Sequence, residues 1–431
     1  MSLILIASVG GSPNPIASAI AAKRPDFVLF LATEDVGKQP GSAGQVPEIL
    51  AKAQRPRQPH EVLIVPPDDP EATFLALRDR LARLRAEHPR AELLFDYTGG
   101  TKSMTGALFQ AAIATEGAAV QFMLGQRDDL HKVKDGTERP TRIAIEWLLA
   151  ERTEARLRAA WESFDYATAA AGFAKLHGDL GSHEKAPEGM RQRLSDLAEV
   201  SRAFDLWDRF RHLRHDRKDK GPIVEEVLRP LVARHPALKP WLERTRACAT
   251  SVPARILDLW RNAERCAARG RYDDAVARLY RLTEWVAQWW LQHKHGINSG
   301  AVDWSRITPQ EVARAGLSEQ MGKTTLSGFA QAWKLIAAKE PEGPVARFLT
   351  APFPHEDPKK TGEGRLRDML ELRNKSILAH GERPLSKEDW EKWLAFAEKM
   401  RKDVMVPLWR AAGLASELPP QLPQDPAALG L

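Results

Sequence analysis

An arginine and a histidine in the last quarter of the chain have the types and the spacing needed to cleave RNA. Arg373 and His380 open and close the octapeptide RNKSILAH, with six residues between them. RNA carries its own nucleophile, the 2′-hydroxyl group, so its cleavage needs an acid or base near neutrality and a cation beside the phosphate. Histidine, with an ordinary pKa of about 6.5, supplies the first, and the planar guanidinium group of arginine supplies the second. This chemistry requires no metal ion.

The surrounding residues predict an amphipathic helix that would carry both side chains. Apolar residues recur at spacings of three and four through residues 363–379, and Gly381 and Pro384 would end the helix. At about 100° per residue, Arg373 and His380 would leave the helix on one face, roughly 10 Å apart along its axis. His380 would lie in the last turn, where the helix dipole favours the protonated imidazole.

An arginine and a histidine at this spacing also occur by chance on solvated or salt-bridged helix faces. The complete string is therefore needed to distinguish a catalytic pair from a chance one. It resembles the Arg-x4–6-His signature of HEPN ribonucleases, here with Asn374 after the arginine and Gly381 after the histidine. In that family the Arg and His of two paired protomers meet at a dimer interface. They cut single-stranded RNA without a metal ion and leave a 2′,3′-cyclic phosphate. The resemblance implies catalytic roles for Arg373, Asn374 and His380.

A second group of residues, near the amino terminus, could bind phosphate. The string DYTGGTKS (residues 96–103) combines two glycines with a lysine and hydroxyl groups, and the string GGS (residues 10–12) holds another glycine pair. Paired glycines let the backbone approach a ligand, and amides at the start of a helix bind phosphate oxygens. Gly99-Gly100 could equally be an ordinary tight turn, and Lys102 a solvated charge. Neither string matches a P-loop or the Gly-x-Gly-x-x-Gly fingerprint.

Both strings follow strands of a predicted Rossmann-like α/β domain. Short apolar runs predict strands of a largely parallel sheet at residues 3–9, 27–32, 61–65, 93–97 and 118–124. Helical stretches alternate with them at residues 16–22, 46–53, 70–87 and 103–115. In this fold, ligands bind beyond the carboxyl ends of the strands, where both strings lie.

The string DYTGGTKSM looks like the ligand loop of the CARF domains of CRISPR-associated proteins, and the glycine loop after the first strand is in the expected place. The resemblance covers roughly residues 1–145. It implies a dimerising domain that binds cyclic oligoadenylate, a second messenger that type III CRISPR complexes make when they meet viral RNA. The ligand residues implied by this resemblance are Gly10, Gly11, Ser12, Thr98, Gly99, Gly100, Thr101 and Lys102.

The remaining chain is predicted to be helical, with no convincing strand. A polar stretch, residues 125–142, ends the CARF domain (residues 1–140). We expect a helical scaffold over residues 141–260, a HEPN domain over residues 261–415, and a flexible tail over residues 416–431, which contain four prolines. The basic run at residues 209–220 predicts a solvated helix end or, alternatively, a patch that contacts RNA.

One helix of the predicted HEPN domain is strongly apolar. It begins near Arg278 and places Trp285, Trp289 and Trp290 largely on one stripe, which favours core packing. We expect this helix to pack against the Arg373 helix in a four-helix core. Glu284 is then a candidate partner for Arg373.

Composition is compatible with a protein of the cytoplasm that binds a polyanion. The net charge is +6, and 43% of the residues are hydrophobic, enough for two or three cores. Two cysteines, Cys248 and Cys266, form neither a disulfide framework nor the two pairs of a zinc site. The apolar run at residues 3–9 is too short to span a membrane. We therefore expect cytoplasmic localisation and no membrane partner.

The order of the two resemblances, CARF and then HEPN, is that of the accessory ribonucleases of type III CRISPR systems. It implies a metal-independent endoribonuclease without a cofactor, activated by cyclic tetra- or hexa-adenylate (cA4 or cA6), that cuts single-stranded RNA. The protein would be a homodimer through both domains. His380 would act as base or acid, Arg373 would stabilise charge on the phosphate, and Asn374 would orient one of them. Two alternatives are a non-enzymatic sensor that recruits a partner and a ring nuclease that degrades the messenger.

Overall fold

The computed structural model describes residues 2–35, 37, 40–115, 117–124, 139–143, 146–181, 188–214, 218–326, 329–352 and 360–431. It divides into two compact units. The first spans Met1–Thr153, and the second takes most of the chain from Glu154 onward. Within the described ranges, no helix combines the length and the apolar character that crossing a membrane requires.

The first unit is built on a six-stranded sheet. Its strands are β1 (Leu3–Ser8), β2 (Phe27–Ala32), β3 (His60–Ile64), β4 (Glu92–Asp96), β5 (Ala119–Leu124) and β6 (Arg139–Ile143). Their order is β3-β2-β1-β4-β5-β6, with β1 to β5 parallel and β6 antiparallel to β5. Since β1 pairs with β4, and Ala7 lies opposite Asp96, the loops that follow these two strands begin side by side.

Two layers of helices cover the sheet, which confirms the Rossmann-like α/β prediction. The helices are α1 (Asn14–Lys23), α2 (Val46–Lys52), α3 (Pro70–Glu87) and α4 (Lys102–Ala114). One apolar core joins the sheet to α1 and α2, and a separate core joins it to α3 and α4. Each of the nine predicted elements lies within two residues of its predicted bounds, because an apolar run or a helical spacing of apolar residues marks each of them in the sequence.

The sequence did not predict β6. Its residues, RPTRI, are mostly polar and include a proline, and they fall in the stretch interpreted as a polar boundary. An edge strand needs neither two buried faces nor two pairing partners, so it leaves a weak apolar signal. The expectation that no strand follows the first five is therefore wrong. Most of the predicted boundary, residues 125–138, lies outside the described residues.

The second unit is helical, as predicted. Its helices are α5 (Glu146–Glu162, which begins in the first unit), α6 (Tyr166–Gly181), α7 (Glu188–Asp208), α8 (Val224–Leu228), α9 (Lys239–Thr250), α10 (Val252–Ala268), α11 (Tyr272–His295), α12 (Pro309–Ala315), α13 (Phe329–Lys339), α14 (Pro344–Thr350), α15 (Gly362–Asn374), α16 (Lys387–Met400) and α17 (Val406–Ala411). A π-helical turn, Arg401–Met405, joins the last two.

Helix α11 runs through the largest apolar core of this unit and packs against α10, α13, α15 and α16. Trp290 is 3% exposed, and Trp285 and Trp289 are partly buried against the same core. The prediction that these tryptophans pack in a core is confirmed, as is the packing of α11 against the helix that carries Arg373.

The predicted flexible tail, residues 416–431, is instead a packed part of the helical unit. Leu422 and Leu429 are buried. The Arg261 side chain donates to the carbonyl oxygen of Pro419 at 2.6 Å, and the Tyr166 hydroxyl donates to that of Pro423 at 2.7 Å. A proline-rich segment loses little conformational entropy when it is fixed, and its carbonyl groups can still accept hydrogen bonds. The same prolines that suggested disorder therefore suit a bound extended segment.

Candidate functional sites

Glycines let the loops that follow β1 and β4 touch through their backbones. A Cβ atom on Gly10 would lie 2.5 Å from the nitrogen of Gly100, and one on Gly99 would lie 2.6 Å from the carbonyl oxygen of Ser8. Gly100 also has a φ of +97°, a conformation that residues with side chains rarely adopt. The Ser8 hydroxyl donates to the carbonyl oxygen of Gly99. The two predicted ligand strings therefore form one surface.

Thr98 is held by groups in the sheet below it. Its hydroxyl donates to the Asp96 carboxylate and accepts the backbone N–H of Met123 at 2.8 Å. Asp96 is buried and also accepts the N–H of Thr98 at 3.0 Å and the side-chain amide of Gln121 at 2.8 Å. Burial raises the pKa of Asp96 above its ordinary value, although these hydrogen bonds oppose the shift. The Thr98 hydroxyl hydrogen is thus used within the protein, where it fixes the loop.

Thr101 has a comparable role at the start of α4. Its hydroxyl accepts the N–H of Met104 at 3.2 Å, which caps the helix, and donates to the carbonyl oxygen of Pro67. The next two amides, those of Lys102 and Ser103, lie in the first turn, where N–H groups have no partner within the helix. The Lys102 side chain is exposed and makes no ion pair within the described ranges.

The eight predicted ligand residues therefore divide into two groups. A framework group builds the loops: Gly10, Thr98, Gly99, Gly100 and Thr101. An exposed group is available to a ligand from solvent: Gly11, Ser12 and Lys102. Together with the first amides of α4, the exposed group offers an anion both a positive charge and hydrogen-bond donors.

An open groove of about 960 Å³ lies at the opposite edge of the same sheet. Its walls come from the ends of α3 and α4 and the start of β4, including Leu81, Ala111 and Leu93. None of the eight predicted ligand residues lines it. Cavity size alone would therefore direct attention away from the carboxyl edge of the sheet, where the loops meet.

The helix that carries Arg373 ends at Asn374, five residues before the predicted end. The N–H of Ser376 bonds to the carbonyl oxygen of Arg373 at 3.0 Å, and the N–H of Gly381 bonds to that of Ser376 at 3.1 Å, so the chain folds into a compact turn. A Cβ atom on Gly381 would lie 2.0 Å from the carbonyl oxygen of Lys375. Gly381 thus closes a turn over the helix end, and the prediction that it ends a longer helix is wrong.

This turn changes how the predicted catalytic residues meet. They do not share a helix face two turns apart, and His380 is not in a last helical turn. Instead, the N–H of His380 bonds to the carbonyl oxygen of Asn374 at 3.3 Å, and an Arg373 Nη1 group donates to the Asn374 side-chain oxygen at 3.1 Å. Asn374 therefore joins both residues, and the His380 side chain is exposed.

Arg373 lies over an aromatic ring of α11. Its guanidinium carbon is 4.5 Å from the centre of the Tyr280 ring. The Tyr280 hydroxyl donates to Glu284 at 2.7 Å, and Arg281 donates to the other Glu284 oxygen at 2.8 Å. Burial, followed by the hydrogen bond to Glu284, raises the pKa of Tyr280 to about 12.

The predicted partner Glu284 thus lies next to Tyr280, which lies under Arg373. No ion pair joins Glu284 to Arg373 in the part of the chain that the structure describes. Sequence reasoning did not single out Tyr280. The available signal was its position four residues before Glu284, which places both side chains on one face of a helix.

Two large apolar side chains of the turn face solvent beside these residues. Ile377 is 60% exposed and Leu378 is 53% exposed. The turn is anchored at its far end, because the carbonyl oxygen of Arg383 accepts the N–H of Ile377 at 3.2 Å and the Arg383 side chain pairs with Asp389 at 2.9 Å. Adjacent exposed apolar residues on an anchored loop are typical of an interaction surface.

The arginines of the basic run at residues 209–220 have acidic partners, as at a solvated helix end, whereas His212 of the same run is buried. Arg209 pairs with Asp205 at 2.9 Å, Arg211 with Asp219 at 2.8 Å, and Arg214 with Glu226 at 2.8 Å. Arg211 lowers the pKa of Asp219. Because these arginines have acidic partners, the alternative of an RNA-contacting patch gains no support from them. Residues 215–217 of the run lie outside the described residues.

Three buried residues of types that bind metals, His212, Cys248 and Asp258, have ligand atoms within 4.8 Å of one another. The single N–H of the Trp207 indole is shared between the two Asp258 carboxylate oxygens, each at 3.0 Å, and Arg244 forms an ion pair with the same carboxylate. Burial raises the pKa of the Cys248 thiol to about 12, which keeps it protonated at neutral pH. The cluster is best described as a hydrogen-bonded contact that joins the segment after α7 to α9 and α10.

Comparison with protein families shows that residues 244–403 match the model of the Csm6 HEPN domain. This stretch contains helices α10 to α16 and therefore Tyr280, Arg373, Asn374 and His380. A comparison with curated proteins found no match.

Among solved structures, Enterococcus italicus Csm6 bound to cyclic hexa-2′-fluoro-hexa-dAMP matches over 95% of this chain and 95% of that chain, with a TM-score of 0.59 and 14% identity. Can2 from Sulfobacillus thermosulfidooxidans in complex with cyclic tetra-adenylate (cA4) matches over 54% of this chain and 69% of that chain, with 13% identity. Its TM-score of 0.24 is too low to support an argument about the fold. The predicted resemblance to CARF–HEPN ribonucleases is confirmed for the fold and for the HEPN domain.

Proposed function

Because a HEPN domain of the Csm6 type lies in a chain with the Csm6 fold, we propose that this protein is a metal-independent endoribonuclease of type III CRISPR antiviral defence. Its substrate is single-stranded RNA, and its activator is cyclic oligoadenylate. The observation that carries the proposal is the grouping of Arg373, Asn374 and His380 at the end of α15, inside the matched HEPN domain.

The reaction is an attack of RNA on its own phosphate. His380 accepts the proton of the 2′-hydroxyl group while the 2′-oxygen bonds to phosphorus. The bond from phosphorus to the 5′-oxygen breaks, and that oxygen takes a proton from an imidazolium group. The products are a 2′,3′-cyclic phosphate and a 5′-hydroxyl end. Arg373 donates to the phosphate oxygens as negative charge grows on them, and Asn374 keeps Arg373 and His380 together.

A homodimer supplies the two protonation states that this reaction uses at once. One copy has a single His380, whereas two copies facing each other provide one imidazole as base and one imidazolium as acid. The exposed Ile377 and Leu378 lie in the same turn as His380, so pairing of two turns removes apolar surface from water. Dimerisation at this turn therefore assembles the active site and covers its apolar surface together.

The activator binds at the surface formed by the loops after β1 and β4. Cyclic oligoadenylate is a polyanion, and this surface offers Lys102, the exposed Gly11 and Ser12, and the first amides of α4. Both cA4 and cA6 suit these groups. The ligand named for the Enterococcus italicus structure is a cyclic hexanucleotide analogue, so cA6 is the first activator to test.

Cleavage of a fluorogenic single-stranded RNA in EDTA tests the proposal. Wild-type protein and His380→Ala protein are each assayed without activator and with cA4 or cA6. We expect one ring size to accelerate cleavage by the wild type alone. If neither ring activates cleavage, a non-enzymatic sensor becomes the better interpretation. If His380→Ala protein cuts equally well, the assignment of His380 as a catalytic residue is wrong. Cleavage of the cyclic activator by His380→Ala protein would indicate a ring nuclease.

A further inference from the structure

The side chain of Arg373 is long and lies at the open end of a helix, so something must fix its position. Its hydrogen bond to Asn374 holds one edge of the guanidinium group at 3.1 Å but leaves rotation about that contact possible. The Tyr280 ring, 4.5 Å away, supplies a flat surface of negative potential under the guanidinium plane. Two contacts at different angles define the plane of the group, whereas one does not.

The ring itself is fixed by α11. The Tyr280 hydroxyl donates to Glu284 at 2.7 Å, and Glu284 is held from its other oxygen by Arg281 at 2.8 Å. All three residues lie within two turns of one helix, which is buried along its other face in the large apolar core. The chain Arg281, Glu284, Tyr280 and Arg373 therefore connects a rigid helix to the guanidinium group.

We propose that Tyr280 is a positioning residue for Arg373, through the face of its ring. The inference rests on the proposed ribonuclease function, since it assigns a role within that site. A catalytic arginine stabilises transition-state charge only from a narrow range of positions, and a shift of about 1 Å can lower a rate about 100-fold. Tyr280 thus contributes through the face of its ring.

A direct chemical role for the Tyr280 hydroxyl makes a different prediction. A pKa of about 12 keeps this hydroxyl neutral at neutral pH, and its proton is donated to Glu284. If the ring is what matters, Tyr280→Phe retains function and Tyr280→Leu does not. If the hydroxyl transfers a proton in the reaction, both variants lose activity to the same extent.

The kinetic test compares activated RNA cleavage by wild type, Tyr280→Phe, Tyr280→Leu and the control Tyr272→Phe, which changes another tyrosine of α11. We expect kcat of Tyr280→Phe and Tyr272→Phe to stay within about threefold of the wild type. We expect Tyr280→Leu to lower kcat about 10- to 100-fold with little change in KM, because the lost effect is on transition-state charge. Adding Arg373→Ala to Tyr280→Leu protein should lower kcat by a smaller factor than adding Arg373→Ala to the wild type, since both changes remove the same contribution of the guanidinium group.

Crystal structures of full-length wild-type, Tyr280→Phe and Tyr280→Leu protein give a readout that does not depend on cleavage. We expect the Arg373 guanidinium group within about 6 Å of the ring in the first two and displaced in the third. An unmoved Arg373 in Tyr280→Leu protein, or equal loss of kcat in both Tyr280 variants, overturns the inference. If the wild type cuts no RNA at all, the proposed function fails, and the position of Arg373 in the crystal structures still decides the role of Tyr280.

Discussion

The backbone N–H of His380 donates a hydrogen bond to the carbonyl oxygen of Asn374 at 3.3 Å. This bond places His380 beside the end of the helix that carries Arg373, although six residues lie between Arg373 and His380 in the sequence. The relative position of the proposed acid–base group and the proposed cation is therefore set by a folded turn, and changes to that turn should act on RNA cleavage without touching either side chain.

Gly381→Ala tests the turn directly. An added Cβ atom would lie 2.0 Å from the carbonyl oxygen of Lys375, so the turn cannot close and His380 moves away from Asn374. We expect activated RNA cleavage to fall about 100-fold or more, while circular dichroism and binding of the activator stay unchanged. Gly364→Ala is the control, because a Cβ atom there meets no atom closer than 3.8 Å. Full activity of Gly381→Ala protein would show that the turn does not position His380.

Replacing both exposed apolar residues of the turn tests the proposed pairing of two copies. We expect Ile377→Ser with Leu378→Ser to weaken association of the helical units and to lower activated cleavage about tenfold or more, because each residue contributes apolar contact area. Light scattering and the dependence of activity on protein concentration measure this. Met321→Ser, at a site that is 57% exposed on a different loop, serves as control. Equal effects of the two sets of changes would count against a specific interface.

Asp96→Asn should stabilise the protein at neutral pH. Burial raises the pKa of Asp96 in the folded state, so ionisation favours the unfolded state and stability falls as pH rises above the ordinary carboxyl value of about 3.9. An asparagine keeps the oxygen that Thr98 contacts, and its amide can donate to the Gln121 oxygen once the Gln121 amide rotates. When Asp96 is present, that oxygen has no hydrogen-bond partner among the residues that the structure describes. Melting temperatures measured from pH 4 to pH 8 provide the test.

The melting-temperature difference between Asp96→Asn and wild type should be largest near neutral pH and should shrink as the pH approaches 4. Glu92→Gln, at the exposed start of the same strand, is the matched control. A variant less stable than the wild type at pH 7 would show that the carboxylate charge itself supports the loop.

Leu422→Ala tests whether the carboxyl-terminal segment stabilises the helical unit. Leu422 is 2% exposed, and removal of a buried leucine side chain typically costs about 2–5 kcal/mol. We expect a clearly lower melting temperature, with cleavage retained at temperatures below it. Leu414→Ala, at a site that is 37% exposed, should change stability by about 0.5 kcal/mol or less. Similar melting temperatures for the two variants would indicate a loosely attached segment.

Local sequence patterns were sufficient for β1 to β5, which contain apolar runs, but not for β6. The candidate ligand residues follow β1 and β4, as the sequence predicted. Sequence could not separate Thr98, whose hydroxyl is held within the protein, from Lys102, which is exposed. One partner of that hydroxyl, the N–H of Met123, lies 25 residues away in the sequence.

The errors at the second site have two origins. Apolar spacing continues past Asn374 and favours a longer helix, but Gly381 contacts Lys375 in a compact turn that apolar periodicity does not show. Tyr280 lies about 90 residues before Arg373, so its place under the guanidinium group depends on how α11 packs against α15. The segment at residues 416–431 was misjudged because composition does not reveal a binding groove.

The proline-rich segment also has a consequence for synthesis of the protein. Two of its hydrogen bonds join parts of the chain that are far apart in sequence. Pro423 accepts from Tyr166, which lies 257 residues earlier, and Gln424 donates to Glu162, which lies 262 residues earlier. On the ribosome, α5 and α6 emerge long before these partners exist, so their packing layer stays incomplete until translation has passed Gln424. A polypeptide released prematurely would contain Arg373 and His380 but lack this support. Completion of the helical unit therefore comes after synthesis of both Arg373 and His380, at the very end of the process that makes them.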